Sequence, residues 1–148
     1  MSLALIKELR EKTGAGVVDA KKAFDAAEGD MEKALEALRK RGQEKASKKT
    51  DRETNEGMIA MYLHPNKKVG SMVKLLCETD FVGRNDEFQD LARDIAMHVV
   101  AMNPESLEIL LMQPFVKDAD KTVQELISEV VGKMGENIQV GDFVRYEL

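Results

Sequence analysis

The sequence has no tryptophan, one cysteine and three prolines in 148 residues. The single cysteine, Cys77, excludes an intrachain disulfide and favours a reducing compartment. With only two histidines beside it, a typical zinc site is excluded as well. No apolar run approaches a membrane span, and charges interrupt the N-terminus where a signal peptide needs apolar residues. We therefore expect a cytoplasmic protein with no metal and no membrane segment.

Catalytic and nucleotide-binding motifs are also missing. There is no GxxxxGK[ST] loop, which excludes nucleotide binding by that route. Residues 14–19 have the spacing of a dinucleotide-binding loop, but they follow a predicted helix and lack the third small residue. No Ser-His-Asp or Cys-His set is recognisable. Signatures of catalysis and of cofactor binding are thus weak or absent in this sequence.

Acidic residues outnumber basic ones by 27 to 22, and the net charge is −5. This balance is unfavourable for binding nucleic acid or an anionic membrane. Hydrophobic residues make up 43% of the chain, which is enough for a core. The length suits one ordinary domain, or a small domain attached to a larger one.

Apolar residues at helical spacing predict a bundle of three short helices over residues 2–42. Glycines in the segment 13–16 separate the first two helices, and Gly29 ends the second. Asp30 is placed to cap the third helix. Much of the predicted core is alanine, so we expect the bundle to gain stability by docking on another part of the protein.

The polar stretch 43–53 has two interpretations: a solvated continuation of the third helix, or a linker between domains. A basic patch for RNA, from Lys45 to Arg52, is the functional alternative. Acidic residues interrupt it and no aromatic is near, so we expect no direct nucleic-acid binding. We place the boundary here, with a helical bundle and linker over 1–53 and a core module over 54–148.

The second part alternates between strand and helix patterns. Residues 58–63 and 69–77 predict a hairpin of antiparallel strands, and residues 138–148 predict a third strand. A helix begins after Asn85 and ends before Asn103, and another follows the capping-box pair Thr122 and Glu125 and ends at Gly135. Residues 105–112 show no clear period and are predicted as a connection. The fold class is α+β, with a three-stranded antiparallel sheet and helices on one face.

The stretch 77–88 lies at a junction between strand and helix and contains an unusual Asp80-Phe81 pair. In one interpretation Phe81 folds back into the core and Asp80 stabilises the turn. In the other, Phe81 stays exposed and enters a pocket of a partner as an aromatic anchor. The pattern alone leaves both open.

Four segments, in order, resemble the elongation factor Ts family. These segments are 8–16 with 19–23, 77–88, 113–118, and 135–138 with the ending 143–148. The resemblance covers nearly the whole chain. It implies a factor that binds elongation factor Tu and promotes the release of GDP, with no bond made or broken. It also implies that the N-terminal bundle is ubiquitin-associated-like.

The resemblance also implies which residues contact elongation factor Tu. One set lies in the bundle and touches the GTPase domain, and the other inserts beside the magnesium and phosphate site. They are Arg10, Val17 and Val18 in the bundle, and Thr79, Asp80, Phe81 and Val82 in the core. The apolar pair in the bundle is often methionine in relatives.

The chain departs from the family pattern between Pro104 and Leu110. Relatives carry a helical arm of a few dozen residues there. The chain also has a single core module, and short relatives of this kind form homodimers through the core sheet, which we therefore expect here. A module that binds a protein without exchanging nucleotide is the remaining alternative.

Overall fold

The computed structural model describes residues 3–148, so the first residue of the predicted bundle, Ser2, lies outside the described part. Three helices come first, followed by strands and helices in mixed order. The elements are α1 Leu3–Thr13, α2 Val17–Ala26, α3 Met31–Ser47, β1 Glu56–Leu63, β2 Val69–Cys77, α4 Asp80–Gly83, α5 Asp86–Met102, α6 Leu107–Met112, β3 Pro114–Phe115, β4 Asp118–Thr122, α7 Val123–Met134 and β5 Gln139–Glu147.

The predicted three-helix arrangement at the N-terminus is confirmed. Asp30 caps α3, because its carboxylate accepts the amides of Glu32 at 3.0 Å and Lys33 at 3.3 Å. The helices enclose a small cluster of apolar side chains of their own. Its buried members are Ile6, Leu9, Ala20, Phe24, Ala34 and Leu38. Two of these six are alanines, so the cluster contributes little apolar burial for its length.

The polar stretch 43–53 starts as the continuation of the third helix that one interpretation predicted. Helix α3 runs on to Ser47, and turns then lead to β1. Ala46, near its C-terminal end, is 7% exposed and belongs to the core of the second part. The α1–α2 turn also meets α7, since a Cβ atom on Gly14 would lie 2.2 Å from the Lys133 side chain. Gly14 has φ +70°, so glycine is required there on both counts.

The main sheet is antiparallel, with strand order β1-β2-β5. One face packs against α5, where the Ser71 hydroxyl donates to the Ala96 carbonyl at 2.6 Å. Alternation along 69–77 predicts that Val69, Ser71, Val73, Leu75 and Cys77 share one face of β2. The last four are buried and Val69 is half-buried. The predicted three-stranded sheet with helices on one face is therefore confirmed.

Strand β5 contains an irregularity that the alternation did not predict. Asp142 pairs with Lys74 but Val140 pairs with Leu75, which leaves Gly141 as an extra residue. The bulge turns both Val140 and Phe143 towards the core, although three positions separate them. As a result, Val140 is only 6% exposed.

Residues 105–112, predicted as a connection, include the helix α6. Ser106 caps it by accepting the amide of Ile109 at 3.2 Å. Its six residues are too few to display a helical period against an apolar background. The small second sheet of β3 and β4 was also missed, since two paired residues on one strand leave no alternation to detect.

His98 on α5 is fully buried and has hydrogen bonds at both ring nitrogens. Its Nδ1 accepts the Val116 amide at 3.2 Å, so Nε2 carries the proton and donates to the Gln113 Oε1 at 2.9 Å. The ring stacks on Phe115, with centroids 5.9 Å apart. His98 joins α5 to the segment after α6 and is a structural histidine.

Candidate partner-binding site

A single helical turn, α4, carries Phe81 at the end of β2. Thr79 precedes the turn in an extended conformation, and its hydroxyl accepts the amide of Val82 at 3.5 Å. Directly after the turn, the side-chain oxygen of Asn85 caps α5 at 2.8 Å. Four residues that we expected to form a loop are thus a helical turn between two capped junctions.

The Phe81 side chain points into solvent and is 79% exposed. The Arg84 guanidinium carbon lies 5.7 Å from the ring centroid, and an Arg84 nitrogen lies 3.3 Å from the Asp80 carboxylate. Arg84 therefore contacts both members of the Asp-Phe pair. Of the two interpretations of Phe81, folding into the core is wrong and exposure is correct.

The four residues predicted at this site do not all face the same way. Thr79, Asp80 and Phe81 are exposed, whereas Val82 is 8% exposed and belongs to the main core. The buried Val82 side chain attaches the turn to the main core. It supports the site instead of presenting a surface to a partner.

Two glutamates hold the base of α4, and neither was predicted as a site residue. Glu136 lies in the turn between α7 and β5, and its Oε1 accepts the amides of Glu78 at 3.1 Å and Thr79 at 3.0 Å. Its Oε2 accepts the Thr79 hydroxyl at 2.6 Å. In return, the Glu78 carboxylate accepts the backbone amide of Asn137 at 2.6 Å. The segment 135–138 was recognised only as part of the family resemblance, so its contact with Thr79 was not foreseen.

Asn137 extends this network to the linker after α3. Its side chain is 2% exposed, and its Nδ2 donates to the carbonyls of Thr50 at 3.3 Å and Arg52 at 2.8 Å. The Arg52 guanidinium also lies 3.6 Å from the Glu78 carboxylate. The linker and the base of α4 are consequently attached to the same turn.

The residues predicted in the bundle lie around the α1–α2 turn. Val17 and Val18 open α2 and are 55% and 64% exposed. Arg10 is exposed on α1 and donates from Nε to the carbonyl of Ala15 at 3.4 Å. The structure thus brings the Arg10 side chain to the same turn as the two valines, and they form a small surface with an apolar and a cationic part.

Cys77 ends β2, shortly before α4, and is a buried thiol. Burial raises the pKa of the Cys77 thiol to about 11, and the nearby Glu136 carboxylate adds to the shift. The Cys77 Sγ donates to the Thr79 carbonyl at 3.1 Å, so the thiol serves as a hydrogen-bond donor. Across residues 3–148 there is no cluster of acidic, histidine and cysteine side chains suited to a metal ion, and no helix has the length and apolarity to cross a membrane.

The outer face of the main sheet is a second apolar surface. The pairing places Met61, Met72 and Val144 in one row and Leu63, Gly70 and Tyr146 in the next. The five large side chains in these rows are each at least 38% exposed. No helix of the described chain covers them, since α5 lies on the opposite face.

A protein-family model described as Elongation factor TS matches residues 78–148, the part that contains α4 and its supporting turn. The elongation factor Ts of Thermosipho melanesiensis is 42% identical, over 99% of this chain and 97% of the relative. This chain belongs to the elongation factor Ts family. Membership gives it a role in translation elongation. It also confirms the family resemblance from which the site residues were predicted.

Relatives in this family differ in length, and the alignments differ accordingly. The Thermosipho alignment covers 191 positions against 148 residues here, so at least 43 positions of it have no counterpart in this chain. The elongation factor Ts of Oleidesulfovibrio alaskensis, 37% identical, aligns over 193 positions with 100% of this chain and 98% of the relative. That of Trichlorobacter lovleyi, 47% identical, aligns over 146 positions and 99% of this chain, but over only 47% of the relative.

These numbers agree with the expected difference between this chain and its relatives. The unmatched positions amount to the few dozen residues of the arm that we expected between Pro104 and Leu110. Their location in the chain stays a prediction. The nearly gap-free alignment with about half of a longer relative is what a single module would produce.

Proposed function

We propose that this protein promotes the release of GDP from elongation factor Tu by inserting Phe81 beside its magnesium and phosphate site. The observation that carries this proposal is the 79% exposed Phe81 ring on a capped helical turn. A large aromatic side chain held out in water gains apolar burial only when a partner supplies a pocket. The neighbouring Asp80 would accompany the ring to the same place.

The mechanism follows from linkage. The factor binds a conformation of the GTPase that holds magnesium and the β-phosphate poorly. Reciprocity then requires GDP to weaken the binding of the factor by the same ratio. The factor makes and breaks no bond, so its action is that of an exchange factor without enzyme chemistry. GTP then binds the emptied site and releases the factor.

We propose that the bundle supplies a second contact with the GTPase domain. Val17 and Val18 provide exposed apolar area, and Arg10 provides a charge at the same turn. We further propose that the bundle is ubiquitin-associated-like, with the unit boundary after residue 53. The separate apolar cluster inside the three helices supports this division, although Ala46 of α3 packs in the other core.

We also propose a homodimer that pairs the outer faces of two main sheets. A single three-stranded sheet leaves the row of Met61, Met72 and Val144 in water, and a second copy would cover it. Strand β5 lies at an edge of the sheet and offers a further place for pairing.

We place the protein in the cytoplasm, where elongation takes place, and propose no direct contact with nucleic acid. Two cations of the basic stretch already have acidic partners. Lys45 lies 3.1 Å from Asp19, and Arg52 lies 3.6 Å from Glu78. Pairing of this kind reduces the positive potential available to phosphates.

The test is to add this protein to elongation factor Tu loaded with fluorescent GDP and to follow release in excess GTP. An exchange factor accelerates release, whereas a module that only binds leaves the intrinsic rate unchanged. Binding measured in parallel separates the two cases. Unaltered release with full binding would refute the proposed function and leave the binding module.

A further inference from the structure

We propose that Glu136 is a positioning residue for Phe81, acting through the hydroxyl of Thr79. This inference rests on the proposed function of Phe81. Glu136 is 55 positions away from Phe81 in the sequence, and its carboxylate accepts three hydrogen bonds from the two residues before α4. The donors are the backbone amides of Glu78 and Thr79 and the Thr79 hydroxyl.

The direction of the Thr79 hydroxyl proton determines how Thr79 caps α4. A carboxylate only accepts hydrogen bonds, so the bond of 2.6 Å to Glu136 directs the hydroxyl proton towards Oε2. The lone pairs of the same oxygen are then free to face the amide of Val82 at the first turn of α4. Glu136 thus determines the orientation in which Thr79 caps the turn that carries Phe81.

The backbone on either side of Thr79 is held in the same way. Its amide donates to Glu136, while its carbonyl accepts the Cys77 thiol at 3.1 Å. The Glu78 carboxylate in turn accepts the backbone amide of Asn137, so each of the two segments supplies a carboxylate that accepts backbone amides of the other. Because α4 has only four residues, it cannot sustain its own helical conformation and depends on these contacts.

Preorganisation of this kind raises the affinity with which Phe81 enters the partner. A Phe81 ring that already points outward avoids the ordering cost when it enters the partner. Without Glu136, the hydroxyl of Thr79 is free to rotate and α4 opens more often. The ring would then spend a smaller fraction of its time in the orientation that can enter the partner. The apparent affinity for the partner would fall in proportion to that fraction.

The first experiment is a cycle of variants in the GDP-release assay. Glu136→Ala removes three hydrogen bonds, of which the one to the Thr79 hydroxyl acts on the cap of α4. The loss of that charge-assisted bond should lower the release rate at subsaturating factor by about tenfold. Glu136→Gln keeps an acceptor for the backbone amides and should lose less. The control is Asp118→Ala, which removes a half-buried carboxylate that accepts a backbone amide at 3.1 Å in the β3–β4 hairpin, outside this network. It should leave the rate unchanged.

The same substitution is then made in a Phe81→Ala background. If Glu136 acts through Phe81, removing Glu136 should have little further effect once the ring is gone. An equal loss in both backgrounds would mean that Glu136 acts elsewhere, for instance on general stability. That result would overturn the inference.

The second experiment uses the free protein and needs no partner. Hydrogen exchange of the Val82 amide should accelerate by about tenfold in Glu136→Ala, while amides in the middle of α5 keep their protection. Unchanged exchange at Val82 would overturn the inference whatever the release assay shows. If exchange at Val82 is faster in Glu136→Ala but the unaltered protein does not accelerate GDP release from elongation factor Tu, the proposed function is refuted and the positioning role is retained.

Discussion

The exposed ring of Phe81 leads to a prediction with two opposite parts. Phe81→Ala should leave the fold nearly as stable as before, and should remove most of the exchange activity. Both parts follow from the same number, the 79% of the side chain that is exposed in the free protein. Surface that is in water before and after folding contributes nothing to folding, but it is available to a partner.

The magnitudes can be worked out from this exposure. A phenylalanine side chain buries about 200 Å² when it is fully enclosed. With 79% exposed, about 160 Å² stays available for a partner, or about 4 kcal/mol at about 25 cal/mol per Å². This free energy corresponds to about a thousandfold in affinity, which is an upper bound. Ordering costs on binding lower it, so we expect Phe81→Ala to reduce the affinity for the partner by about hundredfold. The shielded remainder of about 40 Å² limits the folding cost to about 1 kcal/mol.

The assay is fluorescent-GDP release from elongation factor Tu over a range of factor concentrations, with urea unfolding of the free variant alongside. A matched control is Met112→Ala on α6, which removes a similarly exposed apolar side chain, 76% in water, from another element. The control should retain both stability and activity. It shows whether the loss belongs to Phe81 or to exposed apolar area in general.

Two results would refute this reasoning. Unchanged release by Phe81→Ala would mean that the ring does not enter the partner. A loss of unfolding free energy well above about 1 kcal/mol would mean that the ring packs on the protein in solution, against the exposure used here.

Three further predictions concern other parts of the chain. Met61→Lys with Met72→Lys should convert a dimer into a monomer of 16.5 kDa by light scattering, and a wild-type mass of 16.5 kDa at every concentration would contradict the dimer. Burial lowers the pKa of His98 below 6.5. The contribution of the neutral ring to the free energy of unfolding should therefore be fully present above pH 6.5 and fall as the pH drops below it. His98→Gln should flatten this pH dependence in urea unfolding. Deleting residues 1–50 should weaken binding to elongation factor Tu but leave the core folded, and loss of the circular-dichroism signal would show that the bundle is integral to it.

Local signals in the sequence were enough for most elements. Glycines and a capping aspartate marked the helices of the bundle, and alternation over 69–77 predicted β2 with its bounds and its inward face. Asn85, Thr122 and Gly135 were assigned as helix ends, and each has the expected cap geometry. These features depend on neighbours within a few positions of one another, which is why a single sequence reveals them.

Tertiary structure decided the features that depend on distant contacts. The pattern could not tell whether Phe81 lies inside or outside, because the answer depends on how the chain around Thr79 is held. The bulge at Gly141 reversed the face of Val140, and only pairing with β2 reveals it. Glu136 meets Thr79 across 57 positions, through side-chain and backbone atoms that no local period relates. A hydrogen bond or a pairing register between distant segments exists only once both have folded onto a common core, so the support of the site was visible only in the folded chain.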